Sequence, residues 1–117
     1  MSQRGYLPAR EALARSLNLP TVRLYSAFYK EDPVTNYLEK MGAEGLTESD
    51  KTNLATAIGG MDYKKQQLNH ATRTRRSPGS TIKPLLVYGP AIDKGYITPN
   101  STVLDKRFNH YGWKPEN

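Results

Sequence analysis

Glycine and proline residues divide the chain into short segments, and this limits the elements that it can form. The 117 residues include nine glycines and eight prolines. Between them, apolar side chains recur at the three- and four-residue spacing of an amphipathic helix, and no segment alternates strongly between apolar and polar residues. We therefore predict a mostly all-α fold, a small helical bundle that forms one domain over residues 1–117.

Several segments carry helix start and stop signals. "DPVTNYLEKMG" opens with Asp32 and Pro33, which suit a cap and a first helical position, and closes at Gly42. In "TESDKTNLATAIGG", Thr47 and Asp50 have the spacing of a capping box, and two glycines end the segment. Apolar helical faces are predicted for Ala9, Ala12, Leu13 and Leu17; for Val22, Tyr25 and Phe28; for Val34, Tyr37, Leu38 and Met41; and for Ile82, Leu85 and Leu86, interrupted at Pro90.

The sequence predicts no metal site, no cofactor and no membrane segment. Cysteine is absent, and the two histidines, His70 and His110, are far apart in the sequence. No apolar run approaches the ~20 residues that a membrane span needs. The N-terminal "MSQRGYLPAR" lacks the apolar core of a secretory signal.

The chain is basic, with a formal net charge of +6. Arg73, Arg75, Arg76 and Lys83 are close together in "RTRRSPGSTIK". Such a cluster is compatible with a basic helical module that binds nucleic acid or an anionic cell-wall polymer, with attraction of a carboxylate substrate, and with a solvated loop of no special function.

The pair Ser80 and Lys83 in "SPGSTIKP" is a candidate catalytic unit. A serine hydroxyl is a weak nucleophile and needs a base, and residues three apart share one face of a helix. A lysine can act as that base if burial or nearby positive charge keeps its amine neutral. The alternative is an ordinary serine at a helix start beside a surface lysine.

A second short pattern is "SLN", Ser16 to Asn18, which is the chain's single Ser-x-Asn. By itself it also fits a helix end at which Asn18 forms a cap before Pro20.

The flanking residues of both patterns resemble one family. "ATRTRRSPGSTIKPLLVYGPAIDKG" resembles the active-site serine segment of class A penicillin-binding proteins, and "REALARSLNLPTVRL" resembles the segment with their second motif. The resemblance implies that Ser80 is the nucleophile, Lys83 its activating base, Ser16 a proton shuttle and Asn18 a group that orients substrate. It also implies peptidoglycan stem peptides and β-lactams as ligands, no cofactor, and a parent protein in the cell envelope.

The order of the segments departs from the family. Residues 5–61 resemble the Ser-x-Asn segment and the helices after it, whereas residues 62–117 resemble the Ser-x-x-Lys segment, which comes first in the family. This order predicts a circular permutant of one contiguous helical region. An engineered origin is favoured over a natural rearrangement.

The third motif of the family, Lys-Thr-Gly, does not occur in the 117 residues, and the nearest string is Lys51-Thr52-Asn53. The chain therefore resembles the helical subdomain of a transpeptidase without its central sheet. We expect an exposed, protonated Lys83 and little or no acylation, because each lost oxyanion donor costs ~10²–10³ in rate. An inert folding scaffold is the remaining alternative.

Lack of a covering sheet leads to a prediction about association. An apolar helical face that packs on a sheet in the family would need another cover, so we expect a two-fold homodimer. Analytical ultracentrifugation over a wide concentration range would detect it. A strict monomer at the highest concentration would contradict it.

Overall fold

The computed structural model describes residues 5–43, 46–59 and 82–117, and helices dominate these ranges. The elements in chain order are β1 (Gly5–Pro8), α1 (Ala9–Ala14), α2 (Asn18–Tyr25), single helical turns at Tyr29–Glu31, Val34–Leu38 and Glu39–Met41, α3 (Glu48–Thr52), a further turn at Leu54–Ile58, a wide π-type turn at Lys83–Tyr88, α4 (Gly89–Asp93) and β2 (Thr102–Asp105). The mostly helical fold predicted from the sequence is thus confirmed. Within the three described ranges, no helix is long and apolar enough to cross a membrane.

The capping signals read from the sequence act as predicted. The Asp32 carboxylate accepts a hydrogen bond from the Thr35 backbone N–H at 3.2 Å. Thr47 and Asp50 form a reciprocal capping box at the start of α3. Gly42 adopts φ 105°, a left-handed conformation that glycine reaches without a side-chain clash, and it ends the preceding turn.

Helix α2 lies at the centre of the packing. It contacts the Leu54–Ile58 turn, strand β2 and the Lys83–Tyr88 turn. The most deeply buried apolar side chains come from several of the described segments and are Ala12, Leu19, Val22, Tyr25, Phe28, Val34, Leu38, Leu54, Ala57, Ile82, Leu86, Val87 and Ala91. One shared core therefore joins the described ranges, while the single-domain assignment for all of residues 1–117 stays a prediction.

The sequence predicted that Pro90 interrupts the helix after Ile82. In the structure the turn just before Gly89 and Pro90, Lys83–Tyr88, is a wide π-type turn. The Gly89 N–H donates to the Pro84 carbonyl, five residues earlier, and Pro90 has no N–H for a regular helical bond. A Cβ at Gly89 would lie 2.7 Å from the Pro84 oxygen, which is too close for any side chain. Glycine at 89 therefore permits the wide turn that begins at Lys83.

Two features differ from the sequence-based predictions. A two-stranded antiparallel sheet pairs β1 with β2, and only the short extended piece near Thr102 was expected. With four residues and a terminal proline, β1 is too short for a strand period to be recognised. Met41, predicted on an apolar face, is 47% exposed. The π-type and 3-10 turns before it depart from the 3.6-residue period and rotate it out of the core.

A pair of substitutions tests this core. Leu86→Ala should lower the free energy of unfolding by about 2–5 kcal/mol, because Leu86 is fully buried and its truncation leaves a cavity. Ile92→Ala is the matched control, since Ile92 is 42% exposed and its truncation should cost far less. Urea unfolding of both variants would measure the difference, and equal losses would contradict the described packing.

Candidate active site

Ser16 closes helix α1 in an unusual backbone conformation. Its φ is 55°, in the left-handed region. The Ser16 N–H donates to the Leu13 carbonyl and the Leu17 N–H donates to the Ala12 carbonyl, which is the hydrogen-bond pattern of a Schellman helix end. Glycine usually occupies that position, and a residue with a Cβ pays ~1–3 kcal/mol of strain there. The strain fixes where the Ser16 carbonyl and hydroxyl lie.

Lys83 contacts this helix end from a segment that is distant in the sequence. It is the first residue of the wide turn before α4 and is only 5% exposed. Its Nζ donates to the Ser16 backbone carbonyl and to the Ser16 Oγ, each at 2.9 Å. A buried lysine and an exposed serine that are 67 positions apart in the sequence thus share one part-buried polar contact.

The expectation that Lys83 is exposed to solvent is wrong. The Lys83 side chain is buried, and desolvation lowers the pKa of Lys83 below its usual value. Among the ion pairs of the described ranges none involves Lys83. Burial thus favours the neutral form of the amine, which is the form that a base requires.

Asn18 follows Ser16 by two residues and is held by a different segment. It is the first residue of α2 and does not cap it, because the cap position is Leu17. The Asn18 Nδ2 donates to the Glu116 backbone carbonyl at 2.7 Å. Of the four predicted site residues, the structure brings Lys83 into contact with Ser16. Asn18 follows Ser16 by two residues in the sequence, and Ser80 lies outside the described residues.

The sequence analysis missed two further polar groups that support this turn. The Thr21 hydroxyl donates to the Leu17 carbonyl at 2.7 Å and lies 3.1 Å from the Tyr88 hydroxyl. Both side chains are buried, and desolvation raises the pKa of Tyr88. The four-residue spacing from Leu17 to Thr21 permits this bond on a helix. Nothing in the sequence indicates that Tyr88, on the Lys83 segment, joins it.

Sequence comparisons with known proteins point to one family. The family described as "Penicillin binding protein transpeptidase domain" matches residues 49–117. The chain is 33% identical over 81 residues to penicillin-binding protein 4 of Bacillus subtilis. The aligned region covers 69% of this chain and 13% of that protein. It is 58% identical over 52 residues to penicillin-binding protein 2a of Streptococcus pneumoniae, and this aligned region covers 44% of the chain and 7% of that protein. No solved structure matches.

The family match extends over more than half of the chain and includes the segment that carries Lys83. The chain belongs to the penicillin-binding protein transpeptidase domain family. It spans only a small part of the length of these curated relatives, 13% for the first and 7% for the second.

Replacement of Lys83 by methionine should change stability in a pH-dependent way. Because burial lowers the folded-state pKa of Lys83, the unfolded chain binds more protons between that pKa and the unfolded value of ~10.4. Wild-type stability relative to Lys83→Met should therefore rise as the pH increases through this window. Below the folded-state pKa the difference should be constant.

Urea unfolding of both proteins at several pH values from neutral to alkaline would measure this difference. Lys40→Met, which removes an exposed lysine, is the matched control. A stability difference between wild type and Lys83→Met that stays flat or falls as the pH rises would contradict the burial of the amine.

Proposed function

We propose that this chain is a piece of a penicillin-binding transpeptidase that carries the acyl-serine chemistry of peptidoglycan cross-linking. In this proposal Ser80 is the nucleophile, Lys83 its base, Ser16 a proton shuttle and Asn18 a group that orients the substrate amide. Stem peptides and β-lactams are the proposed ligands, and the cell envelope is the proposed place of action. The observation that carries the proposal is the part-buried contact between Lys83 Nζ and Ser16 Oγ.

This contact suits the proton transfers of acyl transfer. Ser80 Oγ would attack the peptide carbonyl carbon while its proton passes to the Lys83 amine. Collapse of the tetrahedral intermediate would break the C–N bond. The leaving nitrogen would take a proton from Ser16 Oγ, which Lys83 would replace through the 2.9 Å hydrogen bond. The acyl group would then remain on Ser80, and one proton would have moved from serine to leaving amine.

Activity of these 117 residues by themselves is expected to be low. Burial of Lys83 removes one of the reasons for predicting inactivity. The other reason stands, since no Lys-Thr-Gly occurs in the sequence to supply a second oxyanion donor and a carboxylate site. Loss of a single oxyanion donor costs ~10²–10³ in rate. We therefore expect a slow acyl-enzyme reaction and little turnover.

A fluorescent penicillin tests this assignment. Wild type should be labelled slowly, over hours, and Ser80→Ala should not be labelled at all. Lys83→Met should be labelled at least ~10²-fold more slowly than wild type, because it lacks the base. Intact-mass spectrometry would count the adducts. Equal labelling of wild type and Ser80→Ala would refute the nucleophile, and no labelling after days would refute acylation by this part of the family domain.

The circularly permuted order is a further part of this proposal. Residue contacts support it, because Gly5 pairs with Asp105 in the sheet and the Asn117 side chain donates to the Asp105 carboxylate. Residues 5 and 117 thus both contact Asp105, one through the β-ladder and one through the carboxylate, and only a short connection would be needed to join residue 117 to residue 5.

Reordering the chain tests the permutation. A variant with residues 62–117 first, a short Gly/Ser linker and then residues 5–61 should give the same far-UV circular dichroism and a melting temperature within a few degrees. The matched control opens the chain inside α2, between Val22 and Arg23, and should lose its cooperative transition. If the family-order variant fails to fold while the given order folds, the proposal is wrong.

A further inference from the structure

The side chain of Asn117 connects the start of helix α2 to a buried carboxylate. Its Oδ1 accepts a hydrogen bond from the Leu19 backbone N–H at 2.7 Å, and its Nδ2 donates to Asp105 Oδ1 at 2.8 Å. Leu19 is 2% exposed and Asp105 is fully buried. The oxygen and the nitrogen of the Asn117 side-chain amide are thus bonded to groups on two different elements, α2 and β2.

The residue before it contacts the candidate active site directly. The Glu116 carbonyl accepts from Asn18 Nδ2 at 2.7 Å. Residues 116 and 117 therefore contact the side chain of Asn18 and the backbone amide that follows it. A donation from Nδ2 to a carbonyl also determines which way the Asn18 amide faces, and it leaves one N–H and the amide oxygen for other partners.

Asp105 gives this connection a fixed end. It is the last residue of β2 and is opposite Gly5 in the sheet. Its second carboxylate oxygen, Oδ2, is buried and has no hydrogen-bond partner among the described residues. Loss of the Asn117 donor would leave a buried carboxylate with even less compensation, which is costly. Breaking the Asp105–Asn117 hydrogen bond is thus costly, and its loss should displace residues 116 and 117.

We propose that Asn117 is a positioning residue that holds the turn from Ser16 to Asn18 in place for the reaction assigned above. It acts through two contacts, its own bond to Leu19 and the adjacent Glu116 carbonyl on Asn18. The catalytic consequence rests on the proposed function, whereas the positioning itself does not.

An exchange of amide and carboxylate tests the proposal. Asn117→Asp keeps the acceptor for the Leu19 N–H but places a carboxylate against that of Asp105, which should break the connection. In the double variant Asp105→Asn, Asn117→Asp, the new amide at 105 can donate to the new carboxylate at 117, and the connection should form again. Asn109→Ala is the matched control, because the Asn109 side chain accepts a hydrogen bond within its own turn, from the Gly112 N–H.

Three nuclear magnetic resonance measurements report on position independently of chemistry. In Asn117→Asp, the Leu19 amide should exchange with solvent about tenfold faster, and the Asn18 side-chain amide signals should move toward random-coil values. The pKa of Lys83 should rise toward its usual value, since a loosened Ser16 turn admits water to the amine. The double variant should restore all three signals, and Asn109→Ala should leave them unchanged.

The outcomes separate this proposal from the proposed function. A lower melting temperature with unchanged Asn18 and Lys83 signals would mean that Asn117 is merely structural, and would overturn the proposal. Failure of the double variant to restore the signals would overturn it as well. If the signals respond as expected but wild type never forms an acyl-enzyme, the positioning stands and the proposed function is refuted. If both hold, penicillin labelling should slow at least tenfold in Asn117→Asp and recover in the double variant.

Discussion

The hydrogen bonds between the buried amine of Lys83 and the Ser16 turn are the constraint on which the candidate site depends. A lysine amine removed from water loses hydration worth several kcal/mol if it stays charged. Here the Ser16 carbonyl and hydroxyl, each 2.9 Å from Nζ, offset part of that loss, and the lowered pKa reduces the rest. The burial that destabilises the protonated amine in the folded state also favours its neutral form, which can act as a base.

The groups around this contact hold it from three directions. The left-handed conformation of Ser16 points its carbonyl across the end of α1. Thr21 and Tyr88 connect the start of α2 to the Lys83 segment, and the Glu116 carbonyl binds Asn18. The Thr21–Tyr88 and Asn18–Glu116 contacts join segments far apart in the sequence. A site of this kind requires the whole fold, since loss of any one segment leaves a buried polar group without its partner.

Prediction from the sequence succeeded where the cause is local. The caps at Asp32 and Thr47 and the stop at Gly42 involve residues three or four apart, so their geometry follows from the chain itself. It failed at Met41, where a change of helical period depends on surrounding packing. It failed also at β1, whose hydrogen bonds are all to a strand almost one hundred residues later.

The sequence by itself determined the helical content, the family resemblance and the four candidate residues, because periodicity, caps and motif flanks are properties of neighbouring residues. Only the tertiary structure decided that Lys83 is buried against Ser16 and not exposed. The reason is physical: desolvation depends on which atoms surround the amine, and its hydrogen-bond partner Ser16 lies 67 positions away in the sequence. The contact of residues 116 and 117 with α2 was decided in the same way, by packing across the chain.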